Sequence, residues 1–267
     1  MIEPLPTLFG LLVGFLVGLT GVGGGALMTP FLIAVMGVSA PTAIGTDLVF
    51  ATLTKMAGSV QHYRQRSVNL EVAVFLGLGS IPASLLGVAT LEWIKNAFDP
   101  EAVNAIMITI IGAVLLLVGG SLVFRTLMPQ SWIKEKQHAW DGEGKMSRRR
   151  RAYTVLFGAM GGYLVGLTSV GAGSIMAIIL LLLYPLSPAV IVGTDIVHAT
   201  VLALVTGIAH IASGNVALGL VGTLLLGSIP GVLIGSRVAR YVPAKPLRLI
   251  LAVMVTIVGL QLLFGGH

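Results

Sequence analysis

The stretch Gly18-Leu-Thr-Gly-Val-Gly-Gly-Gly25 interrupts a long apolar run, from Thr7 to Met36, and decides how the chain folds. Each glycine in a helix interior costs about 1 kcal/mol relative to alanine, so this stretch disfavours a continuous helix. A related stretch, Gly166-Leu-Thr-Ser-Val-Gly-Ala-Gly173, recurs at an offset of 148 residues inside a second apolar run. Backbone groups freed by a broken helix need partners inside a bilayer, because water is absent there. Two interruptions at equivalent points therefore predict that the broken helix ends are used.

The composition predicts an all-α, polytopic membrane protein. Hydrophobic residues fill 56% and charged residues 10% of the 267 positions, whereas a soluble domain carries about 25% charged residues. The net charge of +6 does not indicate a nucleic-acid partner, because eight of the sixteen basic residues lie between Arg125 and Arg151. Clustering of this kind between apolar blocks is typical of loops that set membrane topology. The absence of cysteine excludes disulfides and Cys-ligated metal sites.

The duplication covers nearly the whole chain. Gly45-Thr-Asp47 matches Gly193-Thr-Asp195 at the same offset, and Gly79-Ser-Ile-Pro82 matches Gly227-Ser-Ile-Pro230. Because these matches include polar residues, they are not the product of generic apolar sequence, and such repeats are typical of secondary transporters. The sequence predicts three segments, a first membrane repeat at 1–124, a basic cytoplasmic linker at 125–152 and a second membrane repeat at 153–267.

Loop charges indicate that the two halves are inverted relative to each other. The loop at 62–68 carries Arg64 and Arg66, and the loop at 237–248 carries four basic residues. Basic loops tend to lie in the cytoplasm, which requires each half to cross the membrane an odd number of times. The glycine-broken stretch would then turn back as a re-entrant hairpin, as in inverted-repeat transporters. The alternative is eight plain spans in two parallel halves, which would place 237–248 outside the cell.

The two glycine motifs predict one central anion site. Half-helices that meet within the bilayer leave N–H groups free at a helix start, where a negative charge is favoured. With inverted halves, the two motifs would face one another. The predicted substrate-binding residues are Thr20, Gly21, Val22, Gly23, Gly24, Thr168, Ser169, Val170, Gly171 and Ala172. Close helix packing through small residues is the alternative role for the same glycines.

Four ionisable residues are predicted to lie within spans, where charges are costly and usually functional. They are Asp47, Lys55, Asp195 and His198. We assign Lys55 to the substrate site, because a lysine in the middle of a span has no capping role and its repeat counterpart is Ala203. The two carboxylates either take part in ion coupling, together with His198, or cap the helices that begin near them.

These motifs resemble the TauE/SafE family of membrane permeases. The resemblance rests on Gly18–Gly25, on Gly45-Thr-Asp47 and on their copies at Gly166 and Gly193, and it covers essentially the whole chain. It implies export or uptake of sulfur-containing anions such as sulfite, sulfoacetate, organosulfonates or thiosulfate. A multi-pass protein of the bacterial inner membrane is expected, without a cofactor or a bound metal. The two half-sites need not be equivalent, because the second copy differs from the first at Ser169, Ala172 and Ser174.

The sequence therefore predicts a secondary transporter of small oxyanions that works by alternating access, and not an enzyme. The expected partners are a small anion, the lipid bilayer and, if Asp47, Asp195 and His198 serve coupling, protons. One alternative is an intramembrane serine hydrolase that pairs Ser174 with His198 or His210. A second alternative is a membrane scaffold that transports nothing. The sequence carries no signal for a particular oligomeric state.

Overall fold

The computed structural model describes residues 4–20, 25–128, 146–171, 173–184, 186–238, 241–242 and 244–265. These residues form ten α-helices and no strand, which confirms the all-α prediction. The helices of the first half are α1 (Pro4–Thr20), α2 (Gly25–Ala34), α3 (Ala40–Arg64), α4 (Leu70–Ala97) and α5 (Pro100–Leu127). Those of the second half are α6 (Arg148–Thr168), α7 (Ile175–Leu183), α8 (Pro188–Ala212), α9 (Leu218–Val238) and α10 (Ala244–Phe264).

Short polar residues fix the starts of several long helices. Side-chain oxygens of Asn69, Asp99, Ser147 and Ser187 accept backbone N–H groups in the first turns of α4, α5, α6 and α8. Such caps satisfy donors that have no partner within the helix. Pro100 follows Asp99 at the first helical position, where its missing N–H costs nothing.

The helix interruption predicted at both glycine motifs is confirmed, and each short helix folds back along the helix before it. The rings of Phe9 in α1 and Phe31 in α2 stack on each other, whereas one straight helix would separate them by about 33 Å. In the second half, Thr154 of α6 hydrogen-bonds Tyr184, which follows α7. Each half therefore begins with a helical hairpin, and the two helices of each hairpin flank its glycine motif in the sequence.

The hairpins pack onto the opposite half through glycines spaced four residues apart. The glycines of α1 and α6 face the backbones of α9 and α4, in the pairs Gly10–Leu224, Gly14–Ser228, Gly18–Val232, Gly158–Leu76, Gly162–Ser80 and Gly166–Ser84. A Cβ atom at any of these glycines would overlap a backbone carbonyl. Because residue numbers rise together along both interfaces, α1 runs parallel to α9 and α6 runs parallel to α4. These glycines are packing positions, as small residues often are between membrane helices.

The helices in the middle of the molecule pair with their own repeat counterparts. Gly45 in α3 lies against Asn215 just beyond α8, while Gly207 in α8 lies against Val49. Residue numbers therefore run in opposite directions, so α3 and α8 are antiparallel. The pair α5 and α10 is antiparallel as well, since Gly112 lies against Leu263 and Gly119 against Thr256. The largest buried apolar cluster draws residues from all four helices, including Leu48, Ile111, Leu202 and Val255.

Within the described part of the chain, five helices are long and apolar enough to span a membrane. They are Leu70–Ala97, Pro100–Leu127, Ala189–Ala212, Leu218–Val238 and Lys245–Phe264. The span predicted to begin after Pro41 corresponds to α3, which is not in this group. Helix α3 carries Asp47 and Lys55, and these polar residues lower its hydropathy.

Candidate functional site

The threonines of the two Gly-Thr-Asp copies tie the halves together. Thr46 Oγ1 accepts the backbone N–H of Ala217 at 3.0 Å, and Thr194 Oγ1 accepts that of Asn69 at 2.9 Å. Each threonine thus satisfies a free donor at the start of a helix in the other half. Asp47 and Asp195 directly follow these threonines. The two carboxylates therefore lie at equivalent positions in α3 and α8, each next to a contact between the halves.

Asp47 joins the tips of the two hairpins. Its side chain is fully buried, and Oδ2 accepts hydrogen bonds from Thr29 Oγ1 in α2 and from Ser169 Oγ in the second glycine motif, both at 2.7 Å. A Cβ atom at Gly25 would lie 3.1 Å from Asp47 Oδ2 and 2.7 Å from the Ser169 carbonyl oxygen. The end of the first motif therefore lies directly against the second.

The carboxylates do not cap their helices. Ser39 and Ser187 occupy the N-cap positions of α3 and α8, and Asp47 and Asp195 lie well inside these helices. The two side chains point into the protein interior, where Asp47 meets residues of α2 and of the second motif.

The second motif turns sharply at the end of α6. Ser169 adopts the left-handed conformation with φ of 62°, and Gly171 follows with φ of 106°. The Thr168 hydroxyl donates to the Leu164 carbonyl at 2.7 Å and accepts the backbone N–H of Val170 at 3.2 Å. Thr168 therefore stabilises the turn, and Ser169 supplies the hydroxyl that reaches across to the first half.

A narrow cavity lies where the motifs, α3 and α8 converge. Its lining is shared between the halves and consists of Gly25, Ala26, Leu48, Ala51, Lys55, Ser169, Gly171, Gly173, Ser174 and Ala203. The cavity volume is about 10 Å³, which is room for about one water molecule. The Lys55 side chain forms neither of the two ion pairs found among the described residues. The cavity wall therefore contains a lysine amine that no carboxylate contacts at ion-pair distance among the described residues.

Asp195 occupies the position equivalent to Asp47 but has different surroundings. Only 6% of its surface is exposed, and no hydroxyl donates to it among the described residues, although Oδ1 is unpaired there in both Asp195 and Asp47. His198 is 3% exposed, its Nε2 lies 2.7 Å from Ser80 Oγ, and its Nδ1 likewise lacks a partner within the described ranges. Buried polar atoms of this kind are rare and call for an explanation.

The structure brings together three of the predicted substrate-site residues, since Ser169, Gly171 and Lys55 all line the cavity. Val170 is buried beside them but is not part of the lining. Gly21, Val22, Gly23, Gly24 and Ala172 lie outside the described residues, as does the side chain of Thr20.

Sequence reasoning missed Thr29, although a signal for it was available. Thr29 is a polar residue in an apolar segment, and its repeat counterpart is Ala177. A polar residue in one copy opposite an apolar residue in the other indicates a position at which the two halves make different contacts. Gly25 and Ser174, which also line the cavity, were not assigned to the substrate site either.

The histidines of the hydrolase alternative are engaged elsewhere. His198 Nε2 is paired with Ser80, and His210 Nε2 lies 3.0 Å from the Gly166 carbonyl oxygen. A serine nucleophile needs a base within hydrogen-bond reach. No hydrogen bond joins Ser174 to either histidine in the described part of the chain.

Comparisons with known proteins identify a family and several relatives of this chain. The family model described as sulfite exporter TauE/SafE matches residues 7–262. The chain is 41% identical over 256 residues to the probable membrane transporter protein YjnA of Bacillus subtilis, covering 96% of this chain and 98% of that protein. It is 26% identical over 253 residues to the probable membrane transporter protein YdhB of the same organism, covering 95% and 97%. It is also 22% identical over 277 residues to the probable membrane transporter protein MJ0441 of Methanocaldococcus jannaschii, covering 98% and 96%. No solved structure matches the chain at a significant level.

Proposed function

The chain belongs to the TauE/SafE family of sulfite exporters and is a multi-pass membrane transporter, and we propose that it moves small sulfur-containing oxyanions through the cavity between its two halves. Sulfite, sulfoacetate and related organosulfonates are the substrates we propose, with export from the cytoplasm as the direction. The membrane is the inner membrane of a bacterium.

The observation that carries this proposal is the shared cavity with Lys55 in its wall. The lining combines Gly25 of the first motif with Ser169 and Gly171 of the second. Helix α2 begins at Gly25 and helix α7 begins at Ile175, so two helix N-termini open at the cavity. Helix N-termini and a lysine ammonium group in the cavity wall both favour an anion over a neutral or cationic ligand.

Inverted halves are the second part of the proposal. A two-fold axis in the membrane plane relates each helix to an antiparallel counterpart, whereas an axis along the membrane normal relates parallel ones. The antiparallel contacts of α3 with α8, and of α5 with α10, support the first arrangement. With this arrangement, the loops at 62–68 and 237–248 and the linker at 125–152 all lie in the cytoplasm, as the distribution of basic residues favours.

The size of the cavity supports alternating access as the proposed mechanism. An oxyanion with four or more heavy atoms does not fit into about 10 Å³, because that volume holds about one water molecule. The anion therefore needs a rearrangement that widens the cavity. The hairpins α1–α2 and α6–α7 are the elements we expect to move, since their tips form most of the cavity wall.

The proposal is tested by flux measurements on the purified protein in proteoliposomes, with sulfite, sulfate, thiosulfate and sulfoacetate offered in turn. Lys55→Ala should lower the flux of the transported anion about tenfold or more, because hydrogen bonds to charged groups contribute about 1.5–3 kcal/mol. Lys245→Ala, which removes an exposed lysine at the start of α10, is the matched control and should transport like wild type. If wild type moves none of the four anions, or if Lys55→Ala matches wild type, the proposal fails.

A further inference from the structure

A second cavity opens at the loop between α3 and α4, far from the glycine motifs in the sequence. We call it the Arg66 pocket, and its lining consists of Tyr63, Arg64, Arg66, Val68 and Leu70. Its volume of about 430 Å³ is within the range of about 300–1,000 Å³ that is usual for small-ligand sites. Neither guanidinium group has an ion-pair or side-chain hydrogen-bond partner among the described residues. Both arginines are therefore available to an anionic ligand.

Arg66 holds a backbone conformation that normally selects glycine. Its φ of 54° lies in the left-handed region, and its repeat counterpart is Gly214 with φ of 73°. The turn is the same in both copies, since the N–H of Arg66 donates to the Tyr63 carbonyl at 3.1 Å and that of Gly214 to the Ile211 carbonyl at 3.0 Å. A residue with a Cβ atom is disfavoured in this conformation. An outlier of this kind is a reason to look for a function.

The two arginines are specific to the first copy of this turn. The counterparts of Arg64 and Arg66 are Ala212 and Gly214, and the loop at 211–215 carries no charge. A basic residue that only sets membrane topology can stand anywhere in its loop, including positions that need no left-handed backbone. The placement of Arg66 therefore indicates that its guanidinium group serves a ligand.

The start of α4 adds to the positive potential of the pocket. Leu70, which lines the pocket, is the first residue of α4, and the N–H groups at a helix start attract negative charge. Glu71 lies in the same turn, but its carboxylate is paired with Arg151 at 2.9 Å. The pocket therefore favours an anion.

Two exposed apolar stripes lead from the Arg66 pocket toward the bilayer core. Leu70, Val74 and Leu78 of α4 are spaced four residues apart, and each is more than half exposed. Tyr63 and Val60 of α3 are exposed to a similar degree. Residues at these spacings share one face of a helix. A ligand with an anionic head and apolar tails can contact both the pocket and the stripes, whereas a soluble oxyanion contacts the pocket alone.

We propose that the Arg66 pocket binds the headgroup of an anionic phospholipid from the cytoplasmic leaflet, with its acyl chains along the exposed stripes of α3 and α4. Guanidinium groups bind phosphate oxygens through paired, charge-assisted hydrogen bonds. Basic pockets on the cytoplasmic side of membrane proteins are suited to such headgroups. The proposal rests on the proposed function only for the side of the membrane.

The bound lipid would also fasten the two halves together. In the loop that forms the pocket, the backbone N–H of Asn69 donates to Thr194 Oγ1 at 2.9 Å. The Ser67 carbonyl lies against Gly193, where a Cβ atom would overlap it. Because the loop contacts the start of α8 in this way, a ligand that holds the loop should raise the stability of the whole molecule.

Thermal unfolding of the purified protein in a non-ionic detergent provides the first test, with short-chain phosphatidylglycerol as the probe. This lipid should raise the unfolding temperature of wild type, whereas phosphatidylcholine of the same chain length and glycerol 3-phosphate should not. The absence of a rise with phosphatidylglycerol would overturn the proposal. An equal rise with glycerol 3-phosphate would mean that the pocket takes a soluble oxyanion, and would also overturn it.

Substitutions in the pocket locate the lipid. Arg64→Gln and Arg66→Gln should each raise the phosphatidylglycerol concentration for half of the effect about tenfold or more, because each removes hydrogen bonds to a charged group. Arg237→Gln is the matched control, since it removes one exposed arginine at the end of α9, and it should respond like wild type. Equal weakening in Arg237→Gln would show a general effect of surface charge and overturn the proposal.

Arg66→Gly makes the first turn resemble the second and separates ligand binding from local structure. Without lipid, this variant should be at least as stable as wild type, because glycine adopts a φ of 54° without strain. Its response to phosphatidylglycerol should weaken as in Arg66→Gln. A wild-type response in Arg66→Gly would show that the arginine serves no lipid and would overturn the proposal. These readouts need no transport, so they are unaffected if the proposed substrate is wrong.

Discussion

Asp47 and Asp195 occupy equivalent positions in α3 and α8, yet their partners differ. Two hydroxyls, from Thr29 and Ser169, donate to Asp47 at 2.7 Å. The counterparts of these two residues are Ala177 and Gly21, which have no hydroxyl to offer. Oδ1 is unpaired in both carboxylates within the described structure, so the difference lies in the two hydroxyls that hold Asp47 Oδ2. One copy of the motif thus fastens the two hairpin tips together, and the other keeps a carboxylate available.

The helix interfaces show the opposite behaviour, because they are the same in both halves. Gly14 faces the Ser228 backbone as Gly162 faces the Ser80 backbone, with the same four-residue spacing of glycines on either side. Duplication therefore preserved the packing and allowed the polar interior to diverge. This is physically reasonable, since a close helix contact tolerates no added atom, whereas a hydroxyl can be lost at moderate cost.

The largest expected effect comes from filling the glycine packing positions that the two halves share. Gly162→Leu and Gly14→Leu should each abolish recovery of folded protein, because the new side chain has to displace a backbone carbonyl of the facing helix. The two variants should fail to the same degree, since the two interfaces are equivalent. Size-exclusion chromatography in detergent measures the folded fraction.

Gly222→Leu in α9 is the control, because nothing lies within 4 Å of a Cβ atom at that position. It should yield folded protein at about the wild-type level. Recovery of folded Gly162→Leu alongside a loss of Gly14→Leu would show that the interfaces are not equivalent.

A moderate effect is expected from making Asp47 resemble Asp195. Thr29→Ala and Ser169→Gly introduce the residue types found in the other copy, and each removes one donor to a buried carboxylate. The free energy of unfolding should fall by about 1–3 kcal/mol for each lost partner. Ser169→Gly should cost less, since glycine relieves the positive φ of 62° at that position. Thermal unfolding in detergent measures both.

Thr109→Ala is the matched control, because the Thr109 hydroxyl is exposed and, among the described residues, bonds only the Ala105 carbonyl of its own helix. It should change stability by less than about 0.5 kcal/mol. If the double variant at positions 29 and 169 is as stable as wild type, the two hydroxyls do not hold Asp47 and the contrast between the carboxylates loses its basis.

The smallest effect is expected at the surface. The ion pair between Glu71 and Arg151 is 2.9 Å long and joins α4 to α6, but both side chains are more than a third exposed. Exposed pairs contribute about 0.2–1 kcal/mol, so Glu71→Gln should shift the unfolding temperature only slightly. A shift as large as that of Thr29→Ala would show that the halves are fastened at their surface as much as at Asp47.

The sequence predicts the architecture well because the architecture depends on local and repeated features. The glycine runs at 21–25 and 166–173 predict the helix interruptions, and the duplication predicts that each element occurs twice. Loop charge predicts an odd number of crossings for each half, an expectation that remains part of the proposal. None of these inferences requires knowledge of contacts between residues that are far apart in the chain.

The site is less predictable because its contacts join residues far apart in the chain. The hydrogen bond from Ser169 to Asp47 connects different halves, so neither residue alone shows whether Asp47 caps a helix or serves a site. The role of His210 is also a tertiary property, since a residue near a helix end could face solvent, yet this one is fully buried against Gly166. The best sequence-based predictor of the site is a position-by-position comparison of the two copies. It identifies Thr29, Lys55 and His198 as residues whose counterparts are of a different type.

The central claim is that the two halves are inverted around one shared site, and accessibility labelling tests it most directly. The chain has no cysteine, so single cysteines can be introduced as Ser39→Cys before α3 and Ser213→Cys after α8 without background. The inverted arrangement predicts that a membrane-impermeant thiol reagent added outside intact cells labels both positions. Labelling of Ser39→Cys from outside, with Ser213→Cys reached only after the membrane is opened, would contradict it and favour parallel halves.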